Sequence, residues 1–176
     1  MTGTTRIETK RLVLRPHVME DAEYLYRHFG TDERMYAYSG WNPYATERKA
    51  RETVRHFIES YKDPSFFGWA IEAGQGIIGT IGAYDYDAEK SSVEVGISIA
   101  PEFWGKGYAT EALQAVITYL TRDNGIRTVK TWCASDNIGS KRAMEKCGMQ
   151  QTGIDHGALK IGDHTFDRLN YEYTTR

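Results

Sequence analysis

Apolar and polar positions recur along this chain with periods that mark out most of its elements. Residues 7–15 alternate weakly, which predicts a first strand ending at Pro16. Residues 19–29 place Ala22, Leu25, Tyr26 and Phe29 at the i, i+3, i+4, i+7 spacing of an amphipathic helix. The aromatic stretch 36–44 is broken by Gly40 and Pro43 and reads as a loop. Thr46 suits the N-cap of a second helix with Ala50, Val54, Phe57, Ile58 and Tyr61 on its inner face, and Asp63-Pro64 ends it. Residues 66–72 and 77–84 read as strands about the hairpin signal Gly74-Gln75-Gly76. After a polar turn at 85–91, residues 92–100 form the next strand. A helix follows at 109–122, its stripe being Ala109, Ala112, Val116 and Leu120. A strand at 129–133, a short helix at 138–146 capped by Gly148, and a cleanly alternating strand at 166–173 complete the pass.

Composition narrows the class. The 176 residues suit one domain over 1–176, of α/β or α+β class, long enough to bury roughly two-thirds of the unfolded surface. A formal net charge of −2 gives no basic field to gather nucleic acid, so no direct nucleic-acid partner is expected. No apolar run approaches the ~18 residues of a membrane-spanning helix, so no membrane partner is expected either. Cys133 and Cys147 stand at unpatterned spacing with no signal peptide, which predicts reduced thiols in a cytoplasmic protein. Neither they nor the histidines show metal-ligand spacing, so no metal site is expected.

The chemistry concentrates between the strand at 92–100 and the helix at 109–122, in Pro101-Glu102-Phe103-Trp104-Gly105-Lys106-Gly107-Tyr108-Ala109-Thr110-Glu111-Ala112. Gly105 and Gly107 let the backbone take positive φ and approach a ligand closely. The free N–H groups of the following helix then meet an anion with the positive end of its dipole. Lys106 adds a cation between the glycines. A phosphorylated cofactor is the expectation. A dinucleotide fold would want Gly or Ala where Thr110 stands and a carboxylate about 20 residues on, where the chain reads Arg127-Thr128-Val129-Lys130-Thr131. Nor does Gly107-Tyr108-Ala109 supply the Gly-Lys-Ser/Thr of a mononucleotide P-loop.

The block 93–112 instead resembles the GNAT superfamily of N-acetyltransferases, nearest its RimJ/RimL-like branch of ribosomal-protein N-terminal acetyltransferases. Ser135-Asp136-Asn137-Ile138-Gly139-Ser140-Lys141-Arg142-Ala143-Met144-Glu145-Lys146-Cys147-Gly148-Met149 is similar to the family's second motif, and Glu8-Thr9-Lys10-Arg11-Leu12-Val13-Leu14-Arg15-Pro16 to its first strand. The resemblance implies a mixed central sheet with helices on both faces and a splay between two parallel strands, here 92–100 and 128–134. It implies acetyl-CoA as cofactor. The pantetheine arm would enter the splay near Ile97, Ser98 and Ile99. The pyrophosphate would sit on Trp104, Gly105, Lys106, Gly107, Tyr108, Ala109 and Thr110, where Trp104 also reads as a packing residue. Asn137 and Ser140 would contact the arm, although Asn137 is equally a good helix N-cap.

The implied reaction is direct acetyl transfer to a primary amine in a ternary complex. Because the amine must lose a proton, a base is needed, and Glu94, on one strand face two residues before Gly96, is the first candidate, with a solvated or salt-bridged strand residue or a substrate-binding one as the alternatives. Many family members carry a tyrosine acid seven residues after the asparagine; here Met144 occupies that position, leaving Ser140 or solvent to protonate the thiolate. The acceptor side would be walled by Tyr36, Tyr38, Trp41 and Tyr44. Asp85, Asp87 and Glu89 either attract a cationic acceptor or simply form a hairpin tip. Lys141 and Arg142 either meet the 3′-phosphate or stay solvated. The acceptor is expected to be a protein or peptide N-terminus. A small-molecule amine (polyamine, antibiotic or metabolite) and a catalytically weak acyl-CoA sensor are the alternatives. The chain is read as a monomer, or as a homodimer paired through the strand at 166–173.

Overall fold

A computed structural model describes residues 1–74 and 76–175. These form an eight-stranded sheet in the order β1-β2-β3-β4-β5-β6-β8-β7. The strands are β1 Ile7–Glu8, β2 Val13–Arg15, β3 Phe67–Ala73, β4 Gly76–Asp87, β5 Ser92–Ile99, β6 Thr128–Ala134, β7 Gln150–Ile161 and β8 His164–Thr174. Among the described residues only β5 and β6 run parallel. Parallel neighbours need a crossover, and helix α3, Tyr108–Thr118, supplies it.

Helices cover both faces. Ala22, Leu25 and Phe29 from α1 (Asp21–Leu25) and the turn after it meet Ala50 and Val54 of α2 (Glu47–Ser60) over Ala70 and Ile77. On the opposite face Trp69, Ile71, Val93 and Val95 pack with Ala112, Leu113, Val116 and Ile117 of α3 and Met144 of α4, Ile138–Lys146. β3 is therefore buried on both sides, which is why Phe67–Ala73 reads as an apolar run rather than an alternation. The local signals act as expected. The Thr46 hydroxyl accepts the Lys49 N–H at 3.1 Å, and Gly148 closes α4 at φ 76°.

Four departures have physical reasons. Residues 7–15 are two short strands, not one, because the polar stretch between them turns, the Thr9 N–H donating to the Leu12 carbonyl at 2.9 Å. The first helix is shorter than its periodicity suggests and runs into a wider π turn at Tyr26–Gly30, which still buries Phe29. β7 escaped individual assignment because most of its residues are exposed and show no alternation. β8 lies between β6 and β7, so the strand at 166–173 has no free edge for pairing across a two-fold axis. Of the hairpin signal, Gly74 takes φ 65°, and Gln75 lies outside the described residues.

A buried polar cluster ties β2 to α1. Arg15 donates through both terminal nitrogens to the two oxygens of Asp21 at 2.9 Å and through Nε to Glu72 at 2.7 Å. Burial pushes the Asp21 carboxyl up, but hydrogen bonds from Arg15, His17 and the Val18 N–H outweigh it and hold the group far below the carboxylate range. A carboxyl depressed in the folded state stabilises the fold above its unfolded pKa, and that contribution is lost as pH falls toward the folded value. Asp21→Asn is expected to lower stability at neutral pH by about 3 kcal/mol in urea unfolding, because it leaves Arg15 short of its main partner. The variant should also lose less stability than the parent below pH of about 4; an identical acid limb would show that Asp21 carries no proton linkage.

Candidate active site

The central feature is where the parallel pair ends. β5 and β6 are in register at Ser92↔Thr128, Val93↔Val129 and Glu94↔Lys130, and no further. Beyond that point β5 follows β4 as far as Gly79↔Ile99, while β6 follows β8 as far as Ala134↔Arg168. The Thr131 hydroxyl, donating to the Val95 carbonyl at 2.8 Å, is the last bridge. Since the Val95 carbonyl faces the gap, the antiparallel alternation turns the backbone of Ile97 and Ile99 the same way. The Ile99 carbonyl is taken by the Trp104 indole N–H at 2.7 Å. The Ile97 groups still face the gap, and an extended ligand arm can satisfy them as an added strand would.

At the end of β5 the chain turns through Pro101–Phe103 and passes Gly105 at φ 73° and Gly107 at φ 79°. No side chain caps α3, so its first-turn N–H groups point out past the glycines. A Cβ on Gly105 would meet nothing within 4 Å, leaving open backbone for a pyrophosphate. The loop thus fits a phosphorylated cofactor on geometry as well as on sequence. Lys106 is not poised between the glycines: its ammonium folds back onto the Glu102 carbonyl at 3.1 Å and over the Phe103 ring. Trp104 is half exposed at the mouth of the gap.

Across the gap, the Asn137 side chain accepts the Ser140 N–H at 3.2 Å, so it caps α4 while standing partly open beside the end of β6. Ser140 is likewise partly open, on the first turn of α4. Met144 is buried in the core under the sheet. The position where the resemblance leads one to expect a tyrosine acid is here packing. Cys133 and Cys147 are buried too, and burial pushes both thiols up to about 11, which keeps them protonated at neutral pH.

Glu94 stands at the fork itself, on the face opposite α3. One of its oxygens accepts the Trp132 indole N–H at 2.9 Å, and the other faces Arg168 at 3.5 Å. The Arg168 guanidinium in turn lies 4.8 Å above the Trp132 ring. Each carboxylate oxygen keeps a further lone pair for an ammonium or a water. Tyr84 is the cross-strand partner of Glu94, and its ring crosses toward Gly96, where a Cβ would collide with the phenol oxygen. Packing of the hydroxyl end, with the Glu94 charge beside it, pushes this phenol up to about 12. Sequence reasoning missed Trp132, Arg168 and Tyr84. The one available signal was that Trp132 and Arg168 each sit at an outward position of a strand.

The aromatic wall divides. Tyr44 is core, and Tyr36 donates to the Phe29 carbonyl at 2.9 Å. Tyr38 meets Phe166 of the β7–β8 tip edge-on at 5.6 Å, and Trp41 is 71% exposed. Asp87 accepts the Lys90 N–H at 3.0 Å, so this carboxylate of the acidic group serves its turn. Among the described residues no cluster of potential metal ligands occurs, and no helix is long and apolar enough to cross a membrane.

Residues 11–150 match the family model for the acetyltransferase (GNAT) domain. The chain is similar to the uncharacterised N-acetyltransferase YoaA of Bacillus subtilis, 30% identical over 150 residues that cover 84% of each protein. It is also similar to YdaF of the same organism, named provisionally as a ribosomal N-acetyltransferase. That match is 26% identical over 139 residues and covers 77% of this chain and 74% of YdaF. Among solved structures, the ribosomal-protein α-N-acetyltransferase RimL in complex with coenzyme A superposes with a TM-score of 0.86, covering 97% of this chain and 98% of RimL. Its identity of 18% makes that a likeness of fold.

Proposed function

The chain belongs to the GNAT family of acetyl-CoA-dependent N-acetyltransferases, and we propose that its acceptor is the α-amine at the N-terminus of a protein or peptide. The openness of the acceptor side carries this reading. The Glu94 and Arg168 side chains are 30% and 33% exposed at the fork, and the Tyr38–Phe166 contact lies two residues from Arg168 along β8. Small-molecule sites enclose most of their ligand, whereas an open, aromatic-lined surface suits a chain end whose remainder stays outside. The provisional name of YdaF lends support from the same direction.

When bound, acetyl-CoA supplies the activated acyl group. The chain's own residues then divide the remaining work. Glu94, at the fork, holds the incoming ammonium and accepts its proton directly or through water. The Ile97 N–H, turned to the gap, would be the backbone donor available to an acyl carbonyl held there. Ser140, partly open on the first turn of α4, or solvent would give a proton to the departing sulfur, since Met144 has none to give. The protonated, buried thiols argue for direct transfer over an acyl-cysteine route. A cytoplasmic setting accords with these reduced thiols.

The test is a panel of amines read by thiol release and mass spectrometry. Peptides with free N-termini should be acetylated with kcat/KM at least about tenfold above polyamines and small amines, a gap of about 1.4 kcal/mol. Blocking the α-amine of a lysine-containing peptide should abolish turnover. A preference for a small amine would replace this reading with the small-molecule one.

A further inference from the structure

We infer that Arg11, outside the glycine loop and 95 residues from the Lys106 carbonyl it binds, is the positioning residue that holds this loop in its phosphate-ready shape. The inference rests on the loop's being the pyrophosphate site. Arg11 lies in the turn between β1 and β2, and its side chain reaches the start of α3. There its Nε donates to one Glu111 oxygen at 2.7 Å, while its own N–H and the Thr9 hydroxyl donate to the other at 2.8 and 2.7 Å. Glu111 is thus gripped by three donors from one turn. Burial pushes its carboxyl up, but these hydrogen bonds outweigh that and leave it below the usual range.

With Nε committed to Glu111, Nη1 donates to the Lys106 carbonyl at 2.8 Å. That carbonyl sits between the two positive-φ glycines, so the bond fixes the peptide that joins Lys106 to Gly107. The guanidinium plane also covers the Tyr108 ring at 4.5 Å, and Nη2 lies 3.3 Å from where a Cβ of Gly107 would stand. A planar fork serving a carboxylate, a carbonyl and a ring at once is work an ammonium cannot do. The arrangement places a fixed cation beside the uncapped first turn of α3, where Lys106 has folded away.

Comparison of two acyl donors tests this. Acetyl-CoA carries the pyrophosphate and acetyl-pantetheine does not, so the ratio of their kcat/KM values reports the loop, while a general loss of fold moves both alike. Arg11→Gln should lower that ratio by about tenfold, through KM for acetyl-CoA. Arg11→Lys, which keeps the charge and loses the fork, should recover less than half of the loss on a logarithmic scale. An unchanged ratio in Arg11→Gln, or full recovery in Arg11→Lys, would overturn the inference. Gly107→Val, measured alongside, separates the two layers. If it weakens acetyl-CoA and Arg11→Gln does not, the positioning role alone fails; if neither weakens it, the loop is not the phosphate site.

Discussion

Glu94→Gln is expected to lower kcat by at least about 10²-fold while leaving acetyl-CoA affinity within about twofold, the range that removal of a positioned general base produces. The substitution keeps the shape and an oxygen for the Trp132 indole, so the fork should stay intact. What it removes is the charge facing Arg168 and, on the proposed function, the group that would accept the amine's proton. Turnover and binding are measured separately, by thiol release under saturating donor and by calorimetry. Unchanged kcat would take Glu94 out of proton transfer and leave it as the strand residue that anchors Trp132 and Arg168. Equal losses in affinity and turnover would point instead to a collapsed splay.

Gly107→Val is expected to raise the acetyl-CoA dissociation constant by about tenfold or more. A left-handed conformation costs an L-residue roughly 1–2 kcal/mol, and a β-branched one more. At φ 79° Gly107 sits in that region, and its new side chain would press on Arg11. Relief of both strains turns the loop away from the first turn of α3. Gly105→Ala is the companion, since its Cβ meets nothing within 4 Å and reports the conformational penalty with little contact. Calorimetric titration with acetyl-CoA, against NAD and ATP, reads both variants. Full affinity in Gly107→Val would exclude the loop from cofactor binding.

Local signals in the sequence carry a long way here, and they stop where contacts become distant. Residues 138–146 are helical as expected because Asn137 and Gly148 punctuate them, and α2 starts where Thr46 caps it. The loop at 104–110 is legible because its glycines and the helix after it are neighbours in the chain. The surroundings of Glu94 are different. Trp132 and Arg168 reach it from 38 and 74 residues away, on strands whose register is set by the whole sheet, so no spacing announces them. Arg11 and Glu111 both lie inside stretches that resemble the family, yet their pairing spans 100 residues and only the fold brings it about. β7 is obscure for another reason: most of it is exposed, so burial imposes no alternation, and pairing with β8 alone makes it a strand.

The fork between β5 and β6 also bears on how long the protein lasts. β5 and β6 pair at three positions and then part, so the sheet is open along the rest of their length, and on the proposed function the arm of the acyl donor would close it. Whatever binds the folded chain and not the unfolded one shifts the unfolding equilibrium by mass action. If the arm of the acyl donor fills the fork as proposed, stability against unfolding and proteolysis should rise with the concentration of acetyl-CoA, and with that of CoA, which keeps the same arm.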